Sequence, residues 1–220
     1  MRRREHARHL LRDYPNAIRM RGLGFAAAVP AAYAAGAARP VVIVPGVFER
    51  WNFLRPIANR LAEAGHPVYV IPELGINAGP IPAAAGRVLE FLERRDLHRV
   101  ALVAHSKGGL VGKAAMLQDT DGRIDRLVAV ATPFGGSRMA HFTLVPALRA
   151  FRPRHPVIRR LVAEREVNAR ITSIYPSFDP HIPEGSAIEG GTNVRLDVVG
   201  HFRVLEDAAA IEAVLVAVQR

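Results

Sequence analysis

The sequence predicts an α/β fold in which a mostly parallel six-stranded sheet carries helices on both faces. Three observations predict it: six short apolar runs rich in β-branched residues, helical periodicity between them, and apolar side chains on both faces of the runs. Strands covered by helices on both faces require such near-continuous apolar runs. Strict alternation of strand and helix implies right-handed crossovers, and hence a mostly parallel sheet.

The predicted elements follow one another from residue 41 to residue 200. The six runs are VVIVPG (41–46), VYVIP (68–72), VALVAHS (100–106), RLVAVATP (126–133), RITSIYP (170–176) and VRLDVVG (194–200). The apolar spacing of one helix face occurs twice between the early runs, first at Leu54, Ile57, Ala58 and Leu61 and then at Ala85, Val88, Leu89 and Leu92. For the first of these helices, Asn52 is the predicted N-cap and Gly65 the predicted stop.

Length and composition favour one domain with one substantial core. The chain has 220 residues, of which 50% are hydrophobic. We divide it into a basic, Ala-rich N-terminal arm (1–38) and a sheet domain (39–220) that contains a cap-like insertion (138–166). No apolar run reaches the roughly 18 to 20 residues of a membrane-spanning helix. The absence of cysteine excludes disulfides and thiolate chemistry.

The net charge of +10 is concentrated at one end of the chain. Seven arginines and two acidic residues fall within residues 1–21, so half of the excess belongs to the arm. The basic residues lack the interleaved aromatics of nucleic-acid-binding modules, so we expect no nucleic-acid partner. The arm is expected to make at most weak contact with anionic membrane surfaces. We expect a cytoplasmic protein, the alternative being export if residues 1–38 act as a signal segment.

A polar triplet, His105–Ser106–Lys107, ends the third predicted strand. Chemistry in open parallel sheets takes place at the carboxyl ends of strands. A sharp turn from strand to helix requires small neighbours, and Ala104 and Gly108 flank Ser106. Such a turn exposes the serine hydroxyl and places the next amide at a helix N-terminus. A phosphate-binding loop fits less well, because its pattern requires Gly at position 107 and Ser or Thr at position 114.

A nucleophilic Ser106 needs a base and an acid, each just after a later strand. Asp179 follows the fifth run and His201 directly follows the sixth, in the chain order Ser, acid, His. His201 is predicted to take the proton of Ser106, and Asp179 to hold His201 in the required tautomer.

Other interpretations of the same residues stay open. Asp179 precedes Pro180 and is also typical of a turn. His181 competes with His201 as the base, Asp197 is a poor substitute acid inside the last strand, and His105 is expected to be a packing residue beneath the site. The Lys107 side chain is expected either in solvent or as a cation beside the reacting group.

The segment AHSKG (104–108) resembles the G-x-S-x-G nucleophile elbow of the α/β-hydrolase superfamily, with Ala104 where the family usually has Gly. Residues 39–220 are similar in layout to its compact bacterial lipases and esterases. The resemblance implies a minimal α/β-hydrolase fold. It also implies an oxyanion hole formed by the backbone N–H groups of Lys107 and Val47, with Phe48 as the alternative donor.

The resemblance further implies a substrate and a cap. It places an acyl-binding wall at Phe134 and at the apolar stripe of the insertion (Phe142, Leu144, Val145, Leu148 and Phe151), whose spacing predicts a helix, and Phe48 is a further substrate-binding candidate. Such a stripe is more often core than lid. The leading substrates are short- to medium-chain carboxylic esters, with lipid esters as an alternative.

Three function classes therefore remain: an esterase, a thioesterase, amidase or acyltransferase with the same triad, and a non-catalytic binding protein on this fold. No metal-ligand spacing and no dinucleotide fingerprint occur in the sequence, so we expect neither metal nor cofactor.

Overall fold

A computed structural model describes residues 28–220 and contains one open sheet of six parallel strands. The strand order is β2–β1–β3–β4–β5–β6, and every neighbouring pair is parallel. The strands are β1 (Val41–Val44), β2 (Val68–Val70), β3 (Val100–His105), β4 (Ile124–Val130), β5 (Ile171–Phe178) and β6 (Thr192–Val199). The predicted fold class, strand number and strand direction are confirmed.

At least one α-helix follows every strand except β5, which a loop without a helix connects to β6, so the predicted strict alternation of strand and helix fails there. The α-helices are α1 (Arg55–Glu63), α2 (Ile81–Arg94), α3 (Lys107–Gln118), α4 (Pro146–Arg149), α5 (Pro156–Ala163) and α6 (Ala208–Gln219). Short 3-10 turns occupy Ala31–Ala34, Trp51–Leu54, Pro72–Leu74, Arg138–Phe142, Asn168–Arg170 and Arg203–Leu205.

The sheet separates two hydrophobic cores. Successive residues of a strand point to opposite faces, so Val42 and Leu102 join one core while Ile43 and Val103 join the other. Helices α2, α3 and α5 cover the first face, whereas α1 and α6 cover the second. Both faces of the central strands are fully buried, as the near-continuous apolar runs predict. The two edge strands are less covered: all eight residues of β6, and two of the three residues of β2, are partly or fully exposed.

The start of the first helix differs from the prediction. Asn52 lies inside the 3-10 turn Trp51–Leu54, and Leu54 occupies the N-cap position of α1. Pro56 falls in the first turn of α1, where its missing N–H costs nothing and its fixed φ favours the helix. The predicted stop is confirmed, because Gly65 adopts a φ of +84° just beyond the end of α1.

Part of the predicted N-terminal arm packs against the sheet domain. Tyr33 is buried, meets Trp51 edge-on with the ring centroids 5.8 Å apart, and donates a hydrogen bond to Asn59. The first 27 residues of the predicted arm lie outside the described residues. Among residues 28–220, no helix is both long and apolar enough to cross a membrane.

The insertion does not form the single helical stripe that its spacing predicts. Pro146 begins a new helix, so α4 contains only one turn, and a second proline begins α5. Phe142 and Leu144 precede α4 and are 82% and 90% exposed. Leu148 is half-buried and Phe151 is buried. The stripe is therefore divided into an exposed part before α4 and a buried part that begins within α4.

Candidate active site

Ser106 occupies a sharp turn between β3 and α3. Its φ is +51°, a left-handed conformation that non-glycine residues rarely adopt. Two hydrogen bonds hold it there: the Ser106 N–H donates to the Val130 carbonyl (2.9 Å), and the Thr132 hydroxyl donates to the Ser106 carbonyl (2.9 Å). Strain that the surroundings maintain in this way is typical of functional sites.

Gly108 explains why this turn needs a small neighbour. A Cβ atom on Gly108 would lie 2.1 Å from the Val44 carbonyl oxygen, closer than any real contact. Glycine therefore allows the first turn of α3 to pack directly on the end of β1. The predicted requirement for a small residue after the serine thus has a steric basis in the backbone of β1.

Asp179 and His201 form a buried pair at the carboxyl ends of β5 and β6. The His201 Nδ1–H donates to Asp179 Oδ2 over 2.7 Å. Asp179 Oδ1 accepts the backbone N–H groups of His181 (2.7 Å) and Ile182 (3.0 Å). Burial alone would raise the pKa of Asp179, but the charge and hydrogen bond of His201, together with His181, outweigh it and hold that pKa below its usual range. Asp179 is therefore an anion suited to orienting an imidazole.

Ser106 and His201 line the same cavity, which has a volume of about 180 Å³. Its apolar wall consists of Val47, Pro133, Met139, Ala140, Leu148, Phe151, Ile182 and Phe202. The structure thus brings together the three predicted triad positions, Asp179 through its bond to His201. The cavity also contains the predicted oxyanion-hole residue Val47.

Two predicted substrate-binding residues lie outside this cavity. Phe134 is buried in the core and lines a separate cavity with Lys113 and Leu161. Phe48 is half-buried in the turn after β1, where it adopts a φ of +60°, and is not among the residues that line the Ser106 cavity. Of the residues predicted to form the acyl wall, Leu148 and Phe151 at the buried end of the insertion line the Ser106 cavity, and Phe134 does not.

The Lys107 side chain is not in solvent, in contrast to one of the two expectations. It is only 1% exposed, and its Nζ donates to the Asn77 carbonyl (2.6 Å), the Asn77 Oδ1 (3.3 Å) and the Gly79 carbonyl. Burial lowers the pKa of Lys107 to about 8, while these three acceptors favour the charged form. Its backbone N–H begins α3, where the first amides of a helix have no intrahelical partner.

The competing candidates occupy distinct positions. The His181 ring also lines the cavity, with its centroid 5.0 Å from that of His201, but its backbone N–H bonds to Asp179. Asp197 is exposed in β6. His105 is fully buried beneath His201, as expected of a packing residue, but both of its ring nitrogens have polar partners.

One functional candidate was missed by sequence reasoning. Glu49 is buried, lines the Ser106 cavity and accepts the Gly46 N–H at Oε2 over 2.7 Å. Both of its carboxylate oxygens lie 2.9 Å from His105 Nδ1. The available signal was an acidic residue in the loop VPGVFER, directly after a buried strand. Within residues 28–220, no group of three His, Asp or Glu side chains is arranged to hold a metal ion.

The fold is that of the α/β-hydrolases. Aspergillus fumigatus lipase B superposes with a TM-score of 0.70 at 20% identity over 88% of this chain and 56% of that enzyme. A monoacylglycerol lipase from Paleococcus ferrophilus gives a TM-score of 0.64 at 16% identity over 84% and 96% of the two chains. A hydrolase from Oleispira antarctica superposes with a TM-score of 0.64 at 16% identity, over 85% of this chain and 93% of that hydrolase. No protein-family model and no curated protein sequence matches the chain.

Proposed function

We propose that this protein is a serine hydrolase that cleaves carboxylic esters through a Ser106–His201–Asp179 triad. The observation that carries the proposal is the convergence of a left-handed Ser106 and an Asp179-paired His201 on one cavity. The fold supports the proposal, because several proteins that share it are lipases. A binding protein without catalysis would not need a strained serine beside an oriented imidazole.

The acylation half of the reaction uses the geometry directly. The Ser106 Oγ attacks the ester carbonyl carbon while His201 Nε2 takes its proton. Asp179 keeps the proton of His201 on Nδ1, so that Nε2 acts as the acceptor, and stabilises the imidazolium that forms. When the tetrahedral intermediate collapses, the alcohol leaves with the proton from Nε2, and the acyl group remains on Ser106.

Deacylation repeats these steps with water. His201 takes a proton from a water molecule, which attacks the acyl carbon, and returns the proton to Ser106 as the carboxylic acid leaves. In both halves the developing oxyanion is stabilised by the backbone N–H groups of Lys107 and Val47. Each such donor typically lowers the barrier by about 3 kcal/mol.

The cavity favours a short acyl group. Its volume of about 180 Å³ is below the roughly 300 Å³ at which pockets for drug-sized ligands begin. Its walls are mostly apolar, and its polar lining residues are Glu49, Ser106, Ser137, Thr143, His181 and His201. An ester of a short aliphatic acid fits both the size and the lining of this cavity.

Labelling with a fluorophosphonate probe tests the proposal. We expect one adduct per chain on Ser106 by intact mass and peptide mapping, and none in Ser106→Ala. The matched control is Ser186→Ala, which removes a buried serine hydroxyl that has no hydrogen-bond partner in the described structure. Full labelling of Ser106→Ala, or none of the folded wild type with or without detergent, would refute an activated Ser106.

A substrate panel separates esterase from related activities. Esters, thioesters and amides with one common short acyl chain present the same group to the cavity and differ in the leaving group. We expect the highest kcat/KM for the ester. A higher value for the thioester or the amide would assign the triad to a thioesterase or an amidase, and preferred transfer to added alcohols over water would assign it to an acyltransferase.

Lipid esters are a second candidate, favoured by the exposed part of the insertion. Phe142 and Leu144 are largely exposed on either side of Thr143, which lines the Ser106 cavity. Exposed apolar side chains beside a site fit contact with an aggregated apolar substrate. If lipid esters are the substrates, we expect the rate of hydrolysis to rise when the ester forms micelles. The double variant Phe142→Ser/Leu144→Ser is expected to lose only that increase. A rate that is unchanged across the critical micelle concentration would contradict it.

A further inference from the structure

We propose that Glu49 and His105 are a positioning pair that ties the loop after β1 to the backbone of the catalytic His201. The inference rests on the proposed function, since it assigns these residues a role in that reaction. It concerns a second buried histidine–carboxylate pair, adjacent to the triad and distinct from it.

His105 connects to the triad through its Nε2 atom, which lies 3.1 Å from the His201 carbonyl oxygen. A carbonyl oxygen only accepts hydrogen bonds, so the proton of this bond belongs to His105 Nε2. The two imidazole rings are also in contact, with centroids 4.7 Å apart. His105 thus holds the backbone of His201, whose ring lines the cavity that contains Ser106.

The other nitrogen of His105 faces Glu49. Nδ1 lies 2.9 Å from both carboxylate oxygens, so one further proton is shared between the imidazole and the carboxylate. Because both ring nitrogens are engaged and the side chain is 0% exposed, His105 is not available as a base toward substrate. Its orientation is fixed at both ends, as a positioning role requires.

Glu49 connects His105 to the loop that contains Val47, the proposed oxyanion-hole residue. Its Oε2 accepts the N–H of Gly46, the residue before Val47. A Cβ atom on Gly46 would lie 2.5 Å from Glu49 Oε1, so the carboxylate occupies the space that any larger residue would need. One chain of hydrogen bonds therefore runs from the proposed oxyanion loop through Glu49 and His105 to His201.

Burial supports a functional reason for this pair. Removing two ionisable groups from water is costly, and a buried ion pair rarely stabilises a fold more than apolar residues of the same size. Pre-organised donors and bases, in contrast, must be held to within about half an ångström to be effective. The pair joins two such groups, the loop that contains Val47 and the loop that contains His201.

The test compares His105→Phe, which keeps a ring of similar size and loses both hydrogen bonds, with Glu49→Gln. The Gln side chain can still accept from Gly46 and donate to a neutral His105, so it conserves the network. We expect His105→Phe to lower kcat and the rate of Ser106 phosphonylation by 10- to 100-fold with KM within twofold. Glu49→Gln is expected to stay within fivefold of the wild type.

The matched control is His66→Phe. His66 is also buried, and its Nδ1 pairs with the Arg39 carbonyl oxygen over 2.9 Å, but it precedes β2 at the opposite edge of the sheet. We expect this variant to have a lower melting temperature than the wild type and an unchanged kcat. If His105→Phe is destabilised like His66→Phe yet keeps the wild-type kcat and phosphonylation rate, the pair is merely structural and the inference is wrong.

The outcomes for the two proposals are distinct. A wild-type protein that does not react with the probe overturns the proposed function, and the inference with it. A reactive wild type with a fully reactive His105→Phe overturns the inference alone. Should the Phe variant fail to fold, Gly46→Ala serves as the second variant, because it displaces the carboxylate and keeps both side chains of the pair; unchanged kcat there also overturns the inference.

Discussion

Two buried histidine–carboxylate pairs lie side by side at the carboxyl end of the sheet, yet we propose that only one of them exchanges protons during catalysis. His201 pairs with Asp179 at 2.7 Å and His105 pairs with Glu49 at 2.9 Å, so pairing alone does not distinguish them. The His201 ring lines the cavity that contains Ser106, whereas His105 does not, and its second nitrogen bonds to a backbone carbonyl.

The two pairs also differ in the hydrogen bonds made around their carboxylates. Asp179 accepts two backbone N–H groups at Oδ1 and the His201 Nδ1–H at Oδ2, so its single task is to orient one nitrogen of one ring. Glu49 and His105 instead bond to backbone groups at both of their outer ends. In the proposed reaction, the first pair orients the imidazole that exchanges a proton with Ser106, and the second pair connects two loops.

Replacing each carboxylate by its amide should separate the pairs most strongly. In Asp179→Asn, the amide N–H faces His201 Nδ1, so the proton moves to Nε2 and the ring cannot accept the Ser106 proton. We expect kcat to fall about 10³- to 10⁴-fold, the loss typical of the wrong tautomer in such a triad. Glu49→Gln, the matched variant in the other pair, should retain most of the activity. The measurement is kcat for a short-chain ester in both variants.

Equal losses in these two variants would contradict the assignment. A fall of 10³-fold in Glu49→Gln together with near-normal activity in Asp179→Asn would exchange the roles of the two carboxylates. Each substitution changes charge but leaves side-chain size almost unchanged, so we expect both variants to fold. Circular dichroism and the thermal midpoint of unfolding check this.

A smaller effect is expected from Gly46→Ala, which disturbs only the second pair. The added methyl would meet the Glu49 carboxylate at 2.5 to 2.7 Å and push it away from His105. We expect kcat to fall about tenfold and the free energy of unfolding by about 1 to 3 kcal/mol, as overpacking typically costs.

Gly86→Ala is the control for this substitution. Gly86 lies within α2, and a Cβ there would meet no atom within 4 Å. Because Ala favours a helix interior over Gly by roughly 0.5 to 1 kcal/mol, this variant should be slightly more stable and fully active. The free energy of unfolding in urea and kcat are measured for both variants. A Gly46→Ala protein as stable and active as Gly86→Ala would show that the Glu49 carboxylate is not displaced.

The two pairs also differ in how far the sequence predicts them. The six strands could be predicted, and so could the positions of Ser106, Asp179 and His201 at one edge of the sheet, because each of these residues follows an apolar run and parallel strands bring their carboxyl ends together. The contact between Glu49 and His105 could not be predicted, because the two residues lie 56 positions apart in the chain.

The direction in which some side chains point also could not be predicted from the sequence. Phe134 follows the end of β4 but turns into the core rather than the Ser106 cavity. The apolar spacing in the insertion suggested one helix, yet Pro146 begins a new one and leaves Phe142 and Leu144 exposed. In both cases the residue type was compatible with the prediction, and the local backbone decided where the side chain points.

Lys107 sharpens the comparison, because it is a buried charge held by neutral acceptors rather than by a carboxylate. Its folded pKa is about 8, below the roughly 10.4 of an unfolded chain. Between these values the unfolded state binds more protons, so this group makes stability rise with pH. We expect the difference in unfolding free energy between wild type and Lys107→Met to grow in favour of the wild type by about 1 kcal/mol from pH 8 to pH 9. Urea titrations of both proteins at each pH measure it, and a difference that stays flat or shrinks would show that the three acceptors outweigh burial.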